Sequence, residues 1–506
     1  MKRSSAAWAL AGVVAGFAGI AVDYAVTEGA NQASAIEAVA VFVRDHAPAD
    51  LVNWARENHG KAITIPAIVV LLALFFGAVG RLARRRWWLG VLGFAVISAV
   101  GGAAVLAGNG ATVAYLLPVA LGFAVMTVAM ALLGERLTRL QAVDDDDVFG
   151  EAWRGHRRDF LVVVGAVLGV AAVSTLVGRY LGRDEKAVEA EQEQLRLPVT
   201  PPVVPDGVRV EVDGVQPWMT PADDFYLIDT VFSKPAILAK EWKLRIHGMV
   251  EREIELTYND LVTRAGVEAW ITLNCVSNEI GGDLIGNAWW SGALLAPIIA
   301  EAGPLPGADC IKQTSHDGWD CATPLDTITD GRQAMLAIAM NGEPLPIEHG
   351  YPVRTIVPGL YGYVSATKWV VDMEITRFDD VEAYWTQRGW GELGPVKMAS
   401  KIEVPANDDE VAAGEVVVAG TAWHQHTGIE GVEVQLDGGP WTPAELARVP
   451  NTDTWVQWRV ALDVEPGDHQ VTVRATDQAG EVQTSVRADV LPDGATGWHS
   501  VEFTAS

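Results

Sequence analysis

The chain has 506 residues, long enough for several domains, and carries 64 acidic against 37 basic side chains, a formal net charge of −27. Clustered Lys and Arg are what phosphate backbones require, so this balance excludes a nucleic-acid partner. Half of the residues are apolar despite the acidity, which divides the chain into an apolar part and an acidic, water-facing part.

The division falls near residue 180. Five apolar stretches precede it, Ala6–Val26, Ala62–Gly80, Trp87–Ala107, Ala111–Leu133 and Phe160–Val177. At roughly 18–23 residues, each is long enough to cross a hydrocarbon core as a helix. Residues 1–182 are therefore expected to form a five-span region in a lipid bilayer. Lys2 and Arg3 precede the first span, Arg81, Arg84, Arg85 and Arg86 join the second to the third, and Arg136, Arg139, Arg154, Arg157 and Arg158 separate the fourth from the fifth. An N-terminus inside places all these clusters on the cytoplasmic side, and an odd span count leaves the C-terminal half extracytoplasmic. Asp23, the acidic residue inside a span, reads either as a functional group or as a side chain snorkelling to the interface. The histidines at 46, 59 and 156 are expected in loops, which leaves the spans without histidine ligands for haem. Asp144–Asp147 reads as a solvated loop.

The fifth span opens on Arg157-Arg158-Asp159-Phe160-Leu161. Twin arginines before a moderately apolar run are similar to the twin-arginine export signal, used by proteins that fold before crossing the membrane; they also serve as ordinary positive-inside anchors. Residues 183–215 turn polar and then Pro-rich, the composition of a tether, partly helical and then extended.

Beyond the tether, strand patterns and short helices mix without a regular βαβ rhythm, which predicts an α+β domain over 216–385. EWKLRIHGMV and WITLNC have strand character, TYNDLVTRAG that of a capped helix, and GALLAPIIAEAG that of a helix ending at Gly303. From 400 to 506 the pattern is all-β, with alternating GEVVVAGTAW, GVEVQLDGG, TWVQWRVALDV and HQVTVRATDQAG separated by turn signals. That predicts a sandwich of about 100 residues.

Cys275 ends an apolar strand, AWITLNC, and is followed at once by a polar turn with paired glycines. A thiol so placed is held rigidly and still reaches a metal or substrate. Downstream, in HGYPVRTIVPGLYGYVSATKWV, His349, Arg354 and Lys368 supply imidazole, guanidinium and ammonium groups suited to a large anionic ligand. Cys310 and Cys321 flank a hairpin pattern and read either as a disulfide or as two buried free thiols. His424 and His426, at i and i+2, share a strand face; surface or interface packing and a zinc site are both open.

The stretch from Trp218 to Thr376, carrying Cys275, the HGYPVR element and Lys368 before Trp369, resembles the molybdopterin-binding domain of the sulfite oxidase family. The region from Lys401 onward resembles the immunoglobulin-like dimerisation domain that follows it there. The resemblance implies that Cys275 binds molybdenum beside one pterin, and that His349, Arg354, Thr367 and Lys368 hold the pterin and its phosphate. It also implies pterin contacts from Asp223, Tyr226 and Leu227, and from Ser315 and Asp317. The resemblance also places Trp290, Trp390 and Arg388 at the catalytic pocket, with Leu227, Ile280 and Trp289 near places that family members give to arginine. The pocket is thus expected to be more aromatic and less cationic than a sulfite site. The implied activity is oxygen-atom transfer on a small sulfur or oxo substrate, by sulfite oxidation or sulfoxide reduction, with a cytochrome or a haem membrane subunit as redox carrier and a homodimer as assembly. The contrasting reading is a cofactor-free, membrane-anchored receptor or scaffold using the sandwich for protein contacts.

Overall fold

A computed structural model describes residues 2–30, 34–46, 60–107, 113–141, 151–181, 184–231 and 234–506. The Asp144–Asp147 run and His59 lie outside these residues. The chain forms two compact units, Met1–Glu185 and Lys186–Ser506.

The first unit is helical. Four of its helices are long and apolar enough to cross a membrane, spanning Ser5–Thr27, Trp87–Ala107, Val113–Gln141 and Arg157–Gly178. The remaining expected stretch, Ala62–Gly80, lies in a helix, Gly60–Arg85, that is not among those four. Glycines let the helices pack at backbone distance: a β-carbon at Gly12 would lie 2.7 Å from the Gly80 nitrogen, and one at Gly80 2.0 Å from the Trp8 carbonyl. Asp23 does not snorkel. It is buried, and its Oδ2 accepts from the Ala35 backbone N–H at 3.0 Å, capping the helix Ala35–His46. His46 and His156 were expected in loops; His46 ends that helix and His156 sits in the first turns of Glu151–Leu181, because both neighbouring runs continue as helix.

The second unit opens inside the helix Asp184–Gln194, whose residues from 186 on are docked onto that unit. Val188 is fully buried, Glu191 accepts from Tyr351 Oη (2.8 Å) and the Ala239 N–H (2.7 Å), and Gln192 donates to the Leu345 carbonyl at 2.7 Å. The extended continuation leaves Val203 exposed within its Pro-rich run and becomes packed after it, with Val208 and Val210 buried. The segment expected as a tether over 183–215 is partly helical and then extended, as anticipated, and long-range partners dock its helix.

Two sheets build the α+β part. One has the order β2 (Ile254–Thr257), β1 (Lys243–Gly248), β10 (Val370–Thr376), β5 (Cys310–Ser315), β6 (Asp320–Pro324). The other runs β3 (Val267–Asn274), β4 (Ile285–Leu294), β7 (Met335–Met340), β8 (Glu343–Pro344), with β9 (Arg354–Ile356) paired to β7. The helix Tyr258–Arg264 starts on a reciprocal Thr257–Asp260 cap, and Leu295–Ala302 ends at left-handed Gly303. β5 and β6 form the expected hairpin, but its register sets Cys310 opposite Pro324 and Cys321 opposite Gln313. Both thiols are free and buried, which settles the open choice against a disulfide.

The C-terminal part stacks two sheets, β11 (Ala399–Val404), β13 (Gly414–Trp423), β17 (Val456–Val464), β16 (Glu445–Leu446) and β12 (Asp409–Val411), β19 (His499–Ala505), β18 (Gly467–Asp477), β14 (Ile429–Leu436), β15 (Trp441–Pro443). Alternate residues of β17, β18 and β19 point inward, so Val460, Val471, Val473, Val501 and Phe503 share one apolar core with Trp458. His424 and His426 lie past the end of β13 and diverge: their Nδ1 atoms meet Asp477 and Asp453, each at 2.9 Å. Among the described residues no group of three or more His, Cys, Asp or Glu side chains is gathered as a metal site, here or elsewhere.

Candidate functional site

β3 is buried on both faces and leads to Cys275 at its C-terminal end. The Cys275 N–H donates to the Leu284 carbonyl (2.9 Å), its carbonyl accepts from the Asn278 N–H (3.0 Å), and Asn278 Oδ1 accepts from the Leu284 N–H (2.9 Å). Gly282 is required here, since a β-carbon would lie 2.5 Å from Asn278 Oδ1. These bonds close a rigid hairpin, residues 275–284, between Asn274 and its register partner Ile285. Cys275 is buried, though 8% of its surface remains open to solvent.

Around it stand phenols and a guanidinium. Tyr226 is pushed well above the usual tyrosine range by burial, then by the charge of Cys275, with Arg354 opposing. Tyr361 is raised to about 12 by burial, and Cys275 adds to the rise. A β-carbon at Gly362 would lie 3.8 Å from Tyr226 Oη and 3.9 Å from the Asn274 carbonyl, which brings the turn after Tyr361 against the base of the hairpin.

Arg354 is buried on β9, with Nη1 donating to the His349 carbonyl (3.2 Å) and its guanidinium carbon 5.2 Å from the Trp290 ring centre. Burial lowers it to about 10, so it stays charged at neutral pH. His349 donates from Nε2 to the Ala222 carbonyl (2.8 Å), and burial pulls it down to about 4, so the ring is neutral with Nδ1 an acceptor. Phe225 meets both the His349 and Trp290 rings edge to face, at 5.6 and 5.7 Å. Lys368 Nζ lies 3.3 Å from Asp229; burial lowers it to about 8, and the charge of Arg354 contributes while Asp229 opposes. Gly350 permits the approach, since a β-carbon there would stand 3.0 Å from Lys368 Cα and 3.1 Å from Arg354 Cβ. Ser315 is in register with Val370, and the His316 N–H donates to the Trp369 carbonyl (2.9 Å), so the 315–317 turn borders Lys368. Thr367 is fully buried, with its N–H on Thr355 Oγ1 (2.9 Å) and its hydroxyl 3.2 Å from Cys321 Sγ.

Four buried polar atoms here have no hydrogen-bond partner among the described residues: Asn274 Oδ1, Ser315 Oγ, His349 Nδ1 and Arg354 Nε. Folded interiors seldom leave such atoms unmatched. Two acceptors, a hydroxyl and a guanidinium N–H beside a thiol and an ammonium form a donor set that fits a polar, anionic metal–pterin cofactor.

The other expected site residues take varied positions. Trp290 is fully enclosed, its Nε1 donating to the Ile271 carbonyl (3.1 Å), and its ring packs against the Arg354 guanidinium. Arg388 stacks on Tyr384, 3.6 Å from the ring centre, and the Trp390 ring lies 6.1 Å from that of Tyr363, between centres. Asp223 is exposed and Leu227 is 47% exposed. Asp317 is half-buried in the turn after Ser315. Tyr361, Asp229 and Asn274 were not singled out from sequence; Tyr361 was visible as an aromatic in the turn between the HGYPVR element and Lys368.

Residues 231–385 match the family model described as oxidoreductase molybdopterin binding domain. The chain is 30% identical over 150 residues to the uncharacterized oxidoreductase YuiH of Bacillus subtilis, 30% of this chain and 72% of that one. It is 26% identical over 306 residues to mitochondrial sulfite oxidase of Homo sapiens, 50% of this chain and 56% of that one. It thus spans about half the length of the mammalian relatives it matches. Among solved structures, the sulfane dehydrogenase SoxCD of Paracoccus pantotrophus is 24% identical with a TM-score of 0.49, covering 57% of this chain and 81% of that one. The chain belongs to the sulfite oxidase family of molybdopterin-dependent oxidoreductases.

Proposed function

We propose that this chain is a membrane-anchored molybdenum oxidoreductase that transfers an oxygen atom to or from a small sulfur or oxo substrate, by sulfite oxidation or sulfoxide reduction. The observation that carries the reading is the group of unmatched buried polar atoms, Asn274 Oδ1, Ser315 Oγ, His349 Nδ1 and Arg354 Nε, around the hairpin of Cys275. When bound, the molybdenum cofactor supplies the oxygen-atom and electron transfer. Cys275 supplies the thiolate ligand, held by the backbone bonds of its hairpin. Arg354 and Lys368 neutralise the phosphate, Ser315 and Thr367 border it, and neutral His349 offers Nδ1 as an acceptor to the pterin. Asp223, Tyr226, Leu227 and Asp317 complete the pterin contacts. Tyr226 and Tyr361 remain protonated at neutral pH, because burial raises both, and present phenols beside the thiolate. Trp390 and Arg388 form the outer wall through Tyr363 and Tyr384.

The helical unit serves as a five-span anchor, with the helix Gly60–Arg85 as the additional span. Val69, Val70, Leu71 and Leu74 on it are all exposed, which suits a lipid-facing surface. The arginine clusters favour a cytoplasmic N-terminus and an extracytoplasmic catalytic half, with Arg157 and Arg158 directing export of the folded domain. The C-terminal sandwich is an immunoglobulin-like dimerisation module, and a cytochrome or haem membrane subunit is the electron partner. Metal analysis of the full chain purified from a molybdenum-competent host tests the reading. About one molybdenum per chain supports it, and none supports the cofactor-free scaffold. Sulfite-dependent dye reduction against sulfoxide-dependent dye oxidation then separates the two directions.

A further inference from the structure

The C-terminal sandwich holds the hairpin of Cys275 along both of its arms. On the incoming arm, the Thr272 N–H donates to the Asp453 carbonyl (2.9 Å), Thr272 Oγ1 accepts from the Trp455 N–H (2.9 Å), and the Thr272 carbonyl accepts from Gln425 Nε2 (3.2 Å). Asn451 Nδ2 donates to the Trp270 carbonyl on the same strand (3.1 Å). On the return side of the turn, His499, the first residue of β19, lies flat against Gly281. A β-carbon at Gly281 would stand 2.2 Å from His499 Nε2, 2.5 Å from Cδ2 and 2.9 Å from Cε1. Gly281 also has a φ of +76°, so two independent constraints demand glycine there. Next to it, a β-carbon at Gly497 would lie 2.9 Å from Ile280 Cδ1.

The imidazole is itself fixed. Its Nδ1 accepts from the Ile402 N–H at 3.0 Å, which leaves the proton on Nε2, the atom facing Gly281. Burial, with Lys401 and Arg487 adding to it, pulls His499 down to about 4, so the ring is neutral at physiological pH. A flat, neutral ring anchored at one end to β11 and pressed at the other onto a bare glycine is a strut.

We propose that His499 is a positioning residue for Cys275, fixing through Gly281 the hairpin from which the thiol projects. The inference rests on the reading of Cys275 as the metal ligand, and gives the C-terminal sandwich a part in the site in addition to subunit association. Its alternative is that His499 only fills space in the sandwich, in which case its loss lowers stability and leaves Cys275 undisturbed.

The test reads Cys275 without the cofactor. Full chain purified from a host unable to make molybdopterin is treated with iodoacetamide at pH 8, and the modified peptide is quantified over time. Cys310 and Cys321 are buried and their thiols are raised to about 12, so neither competes. His499→Ala is expected to accelerate Cys275 alkylation about three- to tenfold, by raising the population of open hairpin. His499→Gln, whose amide reaches the Nε2 position, restores most of the wild-type rate. Phe503→Ala, in the sandwich core on the same strand, is the control for general loosening; it lowers the melting temperature and leaves the rate within about twofold. Should His499→Ala fail to fold, His499→Asn keeps an acceptor for the Ile402 N–H, falls short of Gly281 and is expected to accelerate alkylation in the same direction. An unchanged rate in the His499 variants, or an equal acceleration in Phe503→Ala, overturns the proposal. Failure of the cofactor reading is seen separately, as wild-type protein from a competent host without molybdenum.

Discussion

The cleft around Cys275 and the core of the C-terminal sandwich are both buried β-structure in the same compact unit, yet they are built on opposite terms. The sandwich core is made mostly of aliphatic side chains with Trp458 and Phe503, a surface that water leaves at a gain of about 25 cal/mol per Å², and its one unmatched polar atom among the described residues is Trp458 Nε1. The cleft encloses Asn274, Ser315, His349 and Arg354 with polar atoms unmatched, and holds Lys368 and Arg354 at depressed pKa values of about 8 and 10. Every one of those features costs folding free energy. The contrast separates side chains retained for stability from side chains retained in spite of it, and so locates the site more sharply than a pocket outline would.

The comparison breaks most visibly at Cys275. Cys275→Ser keeps shape and polarity in the hairpin and removes the soft ligand, so the melting temperature of cofactor-free protein should hardly move. Molybdenum content should fall at least about tenfold, and oxidoreductase activity with it. A variant that retained both metal and activity would remove the cleft from the chemistry. The sandwich should show the reverse. Phe503→Ala should cost about 3–5 kcal/mol of stability, read by denaturation, with molybdenum per folded chain unchanged.

His349 gives a smaller effect with a definite sign. Its folded value is about 4 against 6.5 for the free side chain. Above pH 6.5 both folded and unfolded chains carry a neutral ring, and the group has no effect on stability. As pH falls from 6.5 to 4, the unfolded chain binds a proton that the folded chain refuses, so stability is lost across that window and levels off below it. The ceiling is about 3 kcal/mol. His499 is lowered to about 4 as well, so His349→Gln should remove only part of the acid sensitivity. Melting temperatures of cofactor-free wild type and variant at pH 7 and pH 5 check it; an unaltered pH slope in the variant would mean that the ring is not buried neutral.

How much of this was legible beforehand follows the range of the interactions. The β3 run ending at Cys275, the β5–β6 hairpin, the helix stopping at Gly303 and the alternation of β17 and β18 are written within a few residues of themselves, and the structure has them. The docking of the 184–194 helix was not legible because its partners, Tyr351 and Leu345, lie more than a hundred residues away. Trp289 and Trp290 are adjacent in sequence, and the pleat sends them to opposite faces; only pairing with β3 and β7 decides which one is enclosed. Asp229 and Tyr361 needed the tertiary structure to become neighbours of Lys368 and Cys275.

The smallest prediction lies outside both regions and calibrates them. Thr257 and Asp260 cap the helix Tyr258–Arg264 reciprocally: Thr257 Oγ1 accepts from the Asp260 N–H at 3.3 Å, and Asp260 Oδ2 accepts from the Thr257 N–H at 2.8 Å. Thr257→Ala removes the hydroxyl half of that exchange and nothing that touches the cleft or the sandwich. The melting temperature should drop by about 2–4 °C, with molybdenum content, Cys275 alkylation and the pH slope all unchanged. If this remote cap moved any of those three readouts, they would be reporting global stability, and the contrast between cleft and sandwich would lose its local meaning.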